Sequence, residues 1–80
     1  MATVTGDFIR EHREKRELSQ QMVSDYMGFT NVFLARVELG LVSLPARHVD
    51  KLTRILNVEK EDLLNAMKKD LSERLDKRAK

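Results

Sequence analysis

Apolar side chains recur along this chain at intervals of three and four residues, the spacing that places them on one face of an α-helix. No segment alternates apolar and polar residues for long enough to suggest a β-strand. Glycine and proline stand between the periodic segments, where turns are expected. The pattern therefore predicts an all-α fold, a compact domain of four or five helices.

Three helices are predicted in the first half of the chain, and the first of them spans about residues 7–17. Ser19 and Thr30 are expected to cap the second and third helices, because a side-chain oxygen there can accept from a free backbone N–H. Gly28 provides the left-handed residue that ends the second helix, and the third continues to about Leu39. The second helix is expected to bury one apolar face, formed by Met22, Val23, Tyr26 and Met27.

Two further helices are predicted in the second half. Pro45 prepares the entry to a fourth helix near Ala46, which ends at Asn57, and a last helix begins around Lys60 and runs almost to the end. We assign the 80 residues to a single domain, with a core of residues 7–64 and a C-terminal helical extension of residues 65–80. The residues expected to face inward are Val49, Leu52, Ile55, Leu56, Leu63 and Leu64.

Length and composition narrow the class of protein. Eighty residues support one domain with a modest core, so association with a second copy would add stability. The absence of cysteine excludes disulfides and thiolate metal sites. No secretion signal is recognised, and no apolar run approaches the roughly 20 residues that span a bilayer, so we expect a cytoplasmic protein with no membrane partner. The net charge is only +2, so any basic face must be formed by folding.

Residues 18–40 carry the most informative pattern, two short helices joined by a three-residue turn at residues 28–30. Such a short turn prevents the helices from lying antiparallel, so they must cross steeply and leave the second helix protruding. A protruding helix can enter the roughly 12 Å wide major groove of DNA. The pattern therefore predicts a helix-turn-helix at about residues 19–39.

A set of residues in register along the chain is typical of one family. These are Arg13, Leu18, Ser19, Gln20, Gly28, Phe29, Thr30, Leu34, Val37, Glu38, Gly40, Pro45, Leu52, Leu56, Asn57, Val58, Leu63 and Leu64. In these positions the chain resembles the Xre/Cro type of helix-turn-helix domain, the group that includes the phage lambda and 434 repressors. The resemblance extends over about residues 8–64 and implies a repressor-like DNA-binding domain.

The resemblance also implies roles for individual residues. Gln20 would contact a phosphate and brace the recognition helix, while Asn31 and Val32 would reach base edges. Asparagine suits adenine, because its amide can pair with N6 and N7 together. Arg36 would contact guanine or a phosphate, and Arg13 and Glu38 would form an ion pair that joins the first helix to the third. The predicted DNA-binding residues are Gln20, Gln21, Thr30, Asn31, Val32, Phe33 and Arg36.

Three positions depart from the family pattern and support an alternative function. Val32 and Phe33 stand where many relatives have polar side chains, and Leu41 stands where relatives are often basic. Valine can touch a thymine methyl group, and Phe33 packs either on the sugar backbone or in a protein interface. The alternative is a protein-interaction module whose apolar patch consists of Val32, Phe33, Leu39, Leu41, Val42 and Leu44.

Other chemistry lacks the residues it needs. His12 and His48 have no third ligand at a metal-binding spacing, so we predict neither a metal nor another cofactor. The serines lack a base and an orienting group, and no glycine-rich phosphate loop is present, so the chain is not expected to be an enzyme. Met22, Met27 and Met67 are expected to fill the core.

The last helix continues its apolar stripe beyond the domain that the family requires. The stripe consists of Leu64, Met67, Leu71 and Leu75. It either folds back on its own domain or packs against a second copy, and we favour a homodimer through Leu71 and Leu75. The predicted function is a sequence-specific regulator of transcription that binds double-stranded DNA as a homodimer. Phage-type repressors, restriction controllers and antitoxins all fit this description, and a toxin or polymerase is a further expected protein partner.

Overall fold

The computed structural model describes the backbone of residues 3–78 and the side chains of residues 3–73. Within this part of the chain the elements are α1 (Val4–Lys15), α2 (Gln20–Met27), α3 (Asn31–Glu38), a 3₁₀ turn (Ala46–His48), α4 (Val49–Leu56) and α5 (Lys60–Arg78). Residues 3–78 contain no strand, which confirms the all-α prediction. None of the helices described is both long and apolar enough to cross a membrane.

Local capping residues determine where the first three helices begin. Ser19 and Thr30 accept hydrogen bonds at 3.0 and 3.1 Å from backbone N–H groups three residues later, as predicted. Thr3 caps α1 in the same way, so that helix begins at Val4 rather than at residue 7. Gly28 ends α2 with a φ of 80°, in the left-handed region where glycine carries no steric penalty.

All five helices contribute to one hydrophobic core. Its buried residues are Ile9, Val23, Met27, Leu34, Val37, Leu44, Val49, Leu52, Leu56 and Leu63. The core also takes in Ala66, so helix packing continues past Leu64. Three predicted core positions are wrong, because α2 and α5 each turn a narrow face inward: Met22 is 56% exposed, Tyr26 is 43% exposed and Leu64 is 36% exposed. The Lys51 ammonium lies 5.2 Å from the ring centroid of Tyr26.

Two close contacts join α1 to the rest of the domain. A Cβ atom on Gly6 would lie 2.4 Å from the backbone oxygen of Glu38, so glycine is needed where α1 meets the end of α3. At the other side of α1, the carboxylate of Asp70 in α5 accepts from the backbone N–H groups of Val4 and Thr5, at 2.8 and 3.0 Å. These contacts set the position of α3 and hold α5 against α1.

Candidate nucleic-acid interface

The third helix presents a continuous exposed face. Leu34 and Val37 are buried, whereas Asn31, Val32 and Arg36 are exposed. An α-helix turns by about 100° per residue, so the exposed positions occupy one arc of α3 and the buried positions occupy the opposite arc. The short turn after α2 leaves this outer face uncovered from the first turn of α3 onward.

An ion pair with its hydrogen-bond partners holds α3 from behind. The guanidinium of Arg13 donates to the two carboxylate oxygens of Glu38 at 2.7 and 3.0 Å, and to the carbonyl oxygen of Leu18 at 2.9 Å. Gln20 donates to Glu38 Oε1 at 3.2 Å. Glu38 is 4% exposed, and its hydrogen bond and charge raise the pKa of Arg13 against the lowering effect of burial. The predicted ion pair is confirmed, and Gln20 braces α3 through it.

A second, exposed chain of hydrogen bonds links the start of α3 to α2. The side-chain amide of Asn31 donates to Gln21 Oε1, and Gln21 Nε2 donates to Asp25 Oδ1 at 2.6 Å. Because an amide nitrogen carries two N–H groups, Asn31 keeps a second donor while it contacts Gln21. The chain therefore orients Asn31 without using all of its hydrogen-bonding capacity.

Phe33 lies in an aromatic cluster under the turn rather than on the outer face. Its ring centroid is 5.0 Å from that of Phe29 and 6.4 Å from that of His48. Phe29 meets His48 edge-on at 5.3 Å. Burial, followed by the charges of Arg47 and Lys51, lowers the pKa of His48. The cluster supports the start of α3 and places two cations close to it.

The stretch from Thr30 to Asn57 exposes mainly positive charge. Its exposed cations are Arg36, Arg47, Lys51 and Arg54. Of its acids, Glu38 is buried in the ion pair, and Asp50 lies 2.8 Å from the ammonium of Lys60, whose hydrogen bond and charge lower the Asp50 pKa. Arg47 and Lys51 are absent from the predicted DNA-binding residues, although the sequence of this stretch has four basic residues against two acidic ones.

The apolar patch that was predicted as an alternative, protein-binding surface is smaller than expected. Leu44 is only 6% exposed because it belongs to the core, and Val42 packs partly against the same core. The exposed members are Val32 at 59%, Leu39 at 55% and Leu41 at 66%. The surface therefore consists of separate side chains at the outer face and end of α3.

Comparison with known proteins matches this sequence to a family. The sequence model of the family described as "Helix-turn-helix" matches residues 9–63. No relative was found among curated proteins by sequence comparison.

Solved structures share the fold. The restriction-modification controller protein C.AhdI from Aeromonas hydrophila is 26% identical, with a TM-score of 0.70 over 76% of this chain and 92% of that chain. SinR, a master regulator for biofilm formation known from Bacillus subtilis, is 23% identical in a structure with DNA, with a TM-score of 0.68 over 75% of this chain and 97% of that chain. A SinR/SinI protein complex matches at 22% identity and a TM-score of 0.67, over 92% of this chain and 76% of that chain. Because the family match covers well over half of the sequence, this chain belongs to the helix-turn-helix family of the Xre type.

Proposed function

We propose that this chain binds specific sequences of double-stranded DNA and regulates transcription in the manner of a repressor. The observation that carries the proposal is the outer face of α3, where Asn31 is oriented by Gln21 while Arg13 and Glu38 hold the helix from behind. Such an arrangement offers oriented polar groups on a rigid, protruding helix. C.AhdI is a controller protein and SinR has been solved with DNA, which agrees with this use of the fold.

Polar side chains of α2 and α3 would contact bases and phosphates. Asn31 pairs with adenine through its amide, and Arg36 binds guanine or a phosphate one turn further along α3. Gln20, Gln21 and Thr30 lie at the amino ends of α2 and α3, where phosphates are favoured by free N–H groups. The exposed cations near the aromatic cluster add phosphate contacts, so affinity should fall steeply with salt.

Selection from a random duplex pool, followed by affinity measurements on variants, tests the proposal. Asn31→Ala and Arg36→Ala should each weaken binding to the selected duplex by roughly 1–3 kcal/mol per lost base contact. The matched control is Arg10→Ala, which removes a cation from the exposed surface of α1, where Arg10 meets Asp7 at 3.4 Å. Equal losses in all three variants, or none, would remove α3 from the contact surface.

The proposed regulator acts as a homodimer through α5. Leu71 is 57% exposed and Leu64 is 36% exposed, whereas Met67 packs partly against the core. Two leucines of the apolar stripe are therefore available to a second copy. Asp70 ties the same helix to α1 and thereby gives the stripe a defined position. The side chain of Leu75 lies outside the described residues and enters only through the sequence pattern.

Sedimentation tests the dimer directly. Replacing Leu71 and Leu75 together by lysine should give a monomer that stays folded and binds the selected duplex more weakly, because paired half-sites are then bound independently. Ser72→Lys is the control, since it adds one lysine beside the stripe at an exposed position without removing a leucine. A monomeric wild type, or a double variant that dimerises equally well, would exclude α5 as the interface.

A protein-interaction function remains the second proposal, and the exposure of Val32, Leu39 and Leu41 supports it. A toxin or a polymerase subunit would be the partner, and the solved SinR/SinI complex is an example of protein binding by a related fold. A folded chain that enriches no sequence from the DNA pool would favour this function over DNA binding.

A further inference from the structure

The outer face of α3 is apolar at its centre and polar at its edges. With about 100° between successive residues, Val32, Ala35 and Leu39 fall within a strip about 60° wide. Asn31 lies to one side of this strip and Arg36 to the other. Val32 is 59% exposed and Leu39 is 55% exposed, while Ala35 is half-buried between them. A helix that contacts base edges through this face meets them first with methyl groups.

Val32 is suited to a small and well-defined apolar partner. Its branched side chain has one strongly preferred rotamer in a helix, so its methyl groups are presented in a single orientation. Even with Leu41 included, three separate exposed side chains offer much less apolar surface than the roughly 800 Å² per partner that a stable protein interface buries. The polar flanks at Asn31 and Arg36 would also have to find partners in such an interface. A nucleic-acid groove supplies those partners together with the apolar one.

Within the major groove, the apolar feature of a base edge is the C5-methyl group of thymine, and the other features are hydrogen-bond donors and acceptors. A 5-methylcytosine carries a methyl group on the same ring carbon. We propose that Val32, with Ala35 beside it, binds pyrimidine C5-methyl groups, so that this chain distinguishes thymine from uracil and methylated from unmethylated cytosine. The inference rests on the proposed DNA binding and specifies the chemistry that α3 recognises.

An unmethylated cytosine beside Val32 would weaken binding. Valine offers neither a donor nor an acceptor, so an unmethylated cytosine beside it would lose water from its N4 amino group without a replacement. A 5-methylcytosine keeps this amino group but adds a methyl group for Val32 to contact, so cytosine methylation would strengthen binding at that position. The flanking base pairs would remain under the control of Asn31 and Arg36.

Removal of single methyl groups from the DNA tests the inference. Each thymine of the duplex selected by the wild-type protein is replaced in turn by deoxyuridine, which removes only the methyl group. At least one replacement should weaken binding by about four-fold, the equivalent of about 0.8 kcal/mol for one buried methyl group. At that position, 5-methylcytosine paired with guanine should bind about four-fold more tightly than unmethylated cytosine paired with guanine.

Protein variants assign the effect to a residue. Val32→Ala should abolish both differences and stay folded, because the side chain is exposed. Leu41→Ala is the control, since it shortens a 66% exposed side chain outside α3 and should leave both differences intact.

The outcomes separate this inference from the function on which it rests. A selected duplex that tolerates deoxyuridine everywhere would overturn methyl recognition while leaving sequence-specific binding in place. A deoxyuridine effect that persists in Val32→Ala would overturn the role of Val32. Equal affinities for methylated and unmethylated cytosine would overturn the extension to 5-methylcytosine. If no sequence is enriched at all, the proposed DNA binding fails and the inference fails with it.

Discussion

Arg13→Ala would leave the carboxylate of Glu38 buried without its ion-pair partner. Glu38 is 4% exposed, and Gln20 would remain as a neutral donor to it at 3.2 Å. Removing one member of a buried pair costs about 3–5 kcal/mol, because the other charge stays in a low-dielectric environment. The side chain of Arg13 is 11% exposed, which favours the lower half of that range, and the Leu18 carbonyl loses a donor as well. We therefore expect a loss of about 3–4 kcal/mol in the free energy of unfolding.

Urea unfolding followed by circular dichroism at neutral pH measures this loss. The matched control is Asp7→Ala, which breaks the pair of Asp7 with Arg10, whose side chains are 44% and 47% exposed. This substitution should lower the free energy of unfolding by no more than about 1 kcal/mol. A double-mutant cycle with Glu38→Ala should show strong coupling to Arg13, because the second substitution removes the stranded charge. Coupling near zero, or an Arg13 variant as stable as the Asp7 variant, would refute the description of this pair as a buried clamp.

Three further perturbations follow from contacts elsewhere in the domain. Gly6→Ala should lower the urea midpoint markedly, since its Cβ would lie 2.4 Å from the backbone oxygen of Glu38, and an unchanged midpoint would contradict that approach. Asp70→Ala should lower the free energy of unfolding by about 1 kcal/mol, because the first turn of α1 loses a capping carboxylate. Asp62→Ala is the control at an exposed position of α5 and should lower it clearly less. Because folding lowers the pKa of His48, this imidazole is protonated more readily in the unfolded chain than in the folded protein as the pH falls through about 6.5. Stability should therefore be greatest above that pH and decline below it, and His48→Gln should flatten unfolding curves recorded between about pH 5.5 and 7.5.

Features that depend on neighbouring residues were predictable from the sequence. Ser19 and Thr30 cap helices through backbone groups three residues away, and Gly28 ends α2 through its own φ angle. The ion pair of Arg13 with Glu38 joins distant residues, and it was predicted from family resemblance rather than from local pattern. Helix identity and the helix-turn-helix therefore follow from short-range chemistry together with the resemblance.

Features that depend on how the helices cross were not predictable. Asp70 caps α1 from 66 residues away, and no periodic pattern connects it to Val4. Met22 lies on an apolar stripe in the sequence but is exposed, since the stripe is wider than the surface that covers it. The pairing of Asn31 with Gln21 likewise requires the angle between α2 and α3, which residue spacing alone does not provide.

Mapping of backbone amide chemical shifts during titration with the selected duplex tests the central claim most directly, because it reports which residues meet DNA. The largest changes are predicted in residues 20–21 and 30–36, with smaller ones near Arg47 and Lys51. Changes confined to residues 41–44 or to the exposed side of α5, with residues 30–36 unaffected, would contradict the assignment of α3 as the DNA-reading helix.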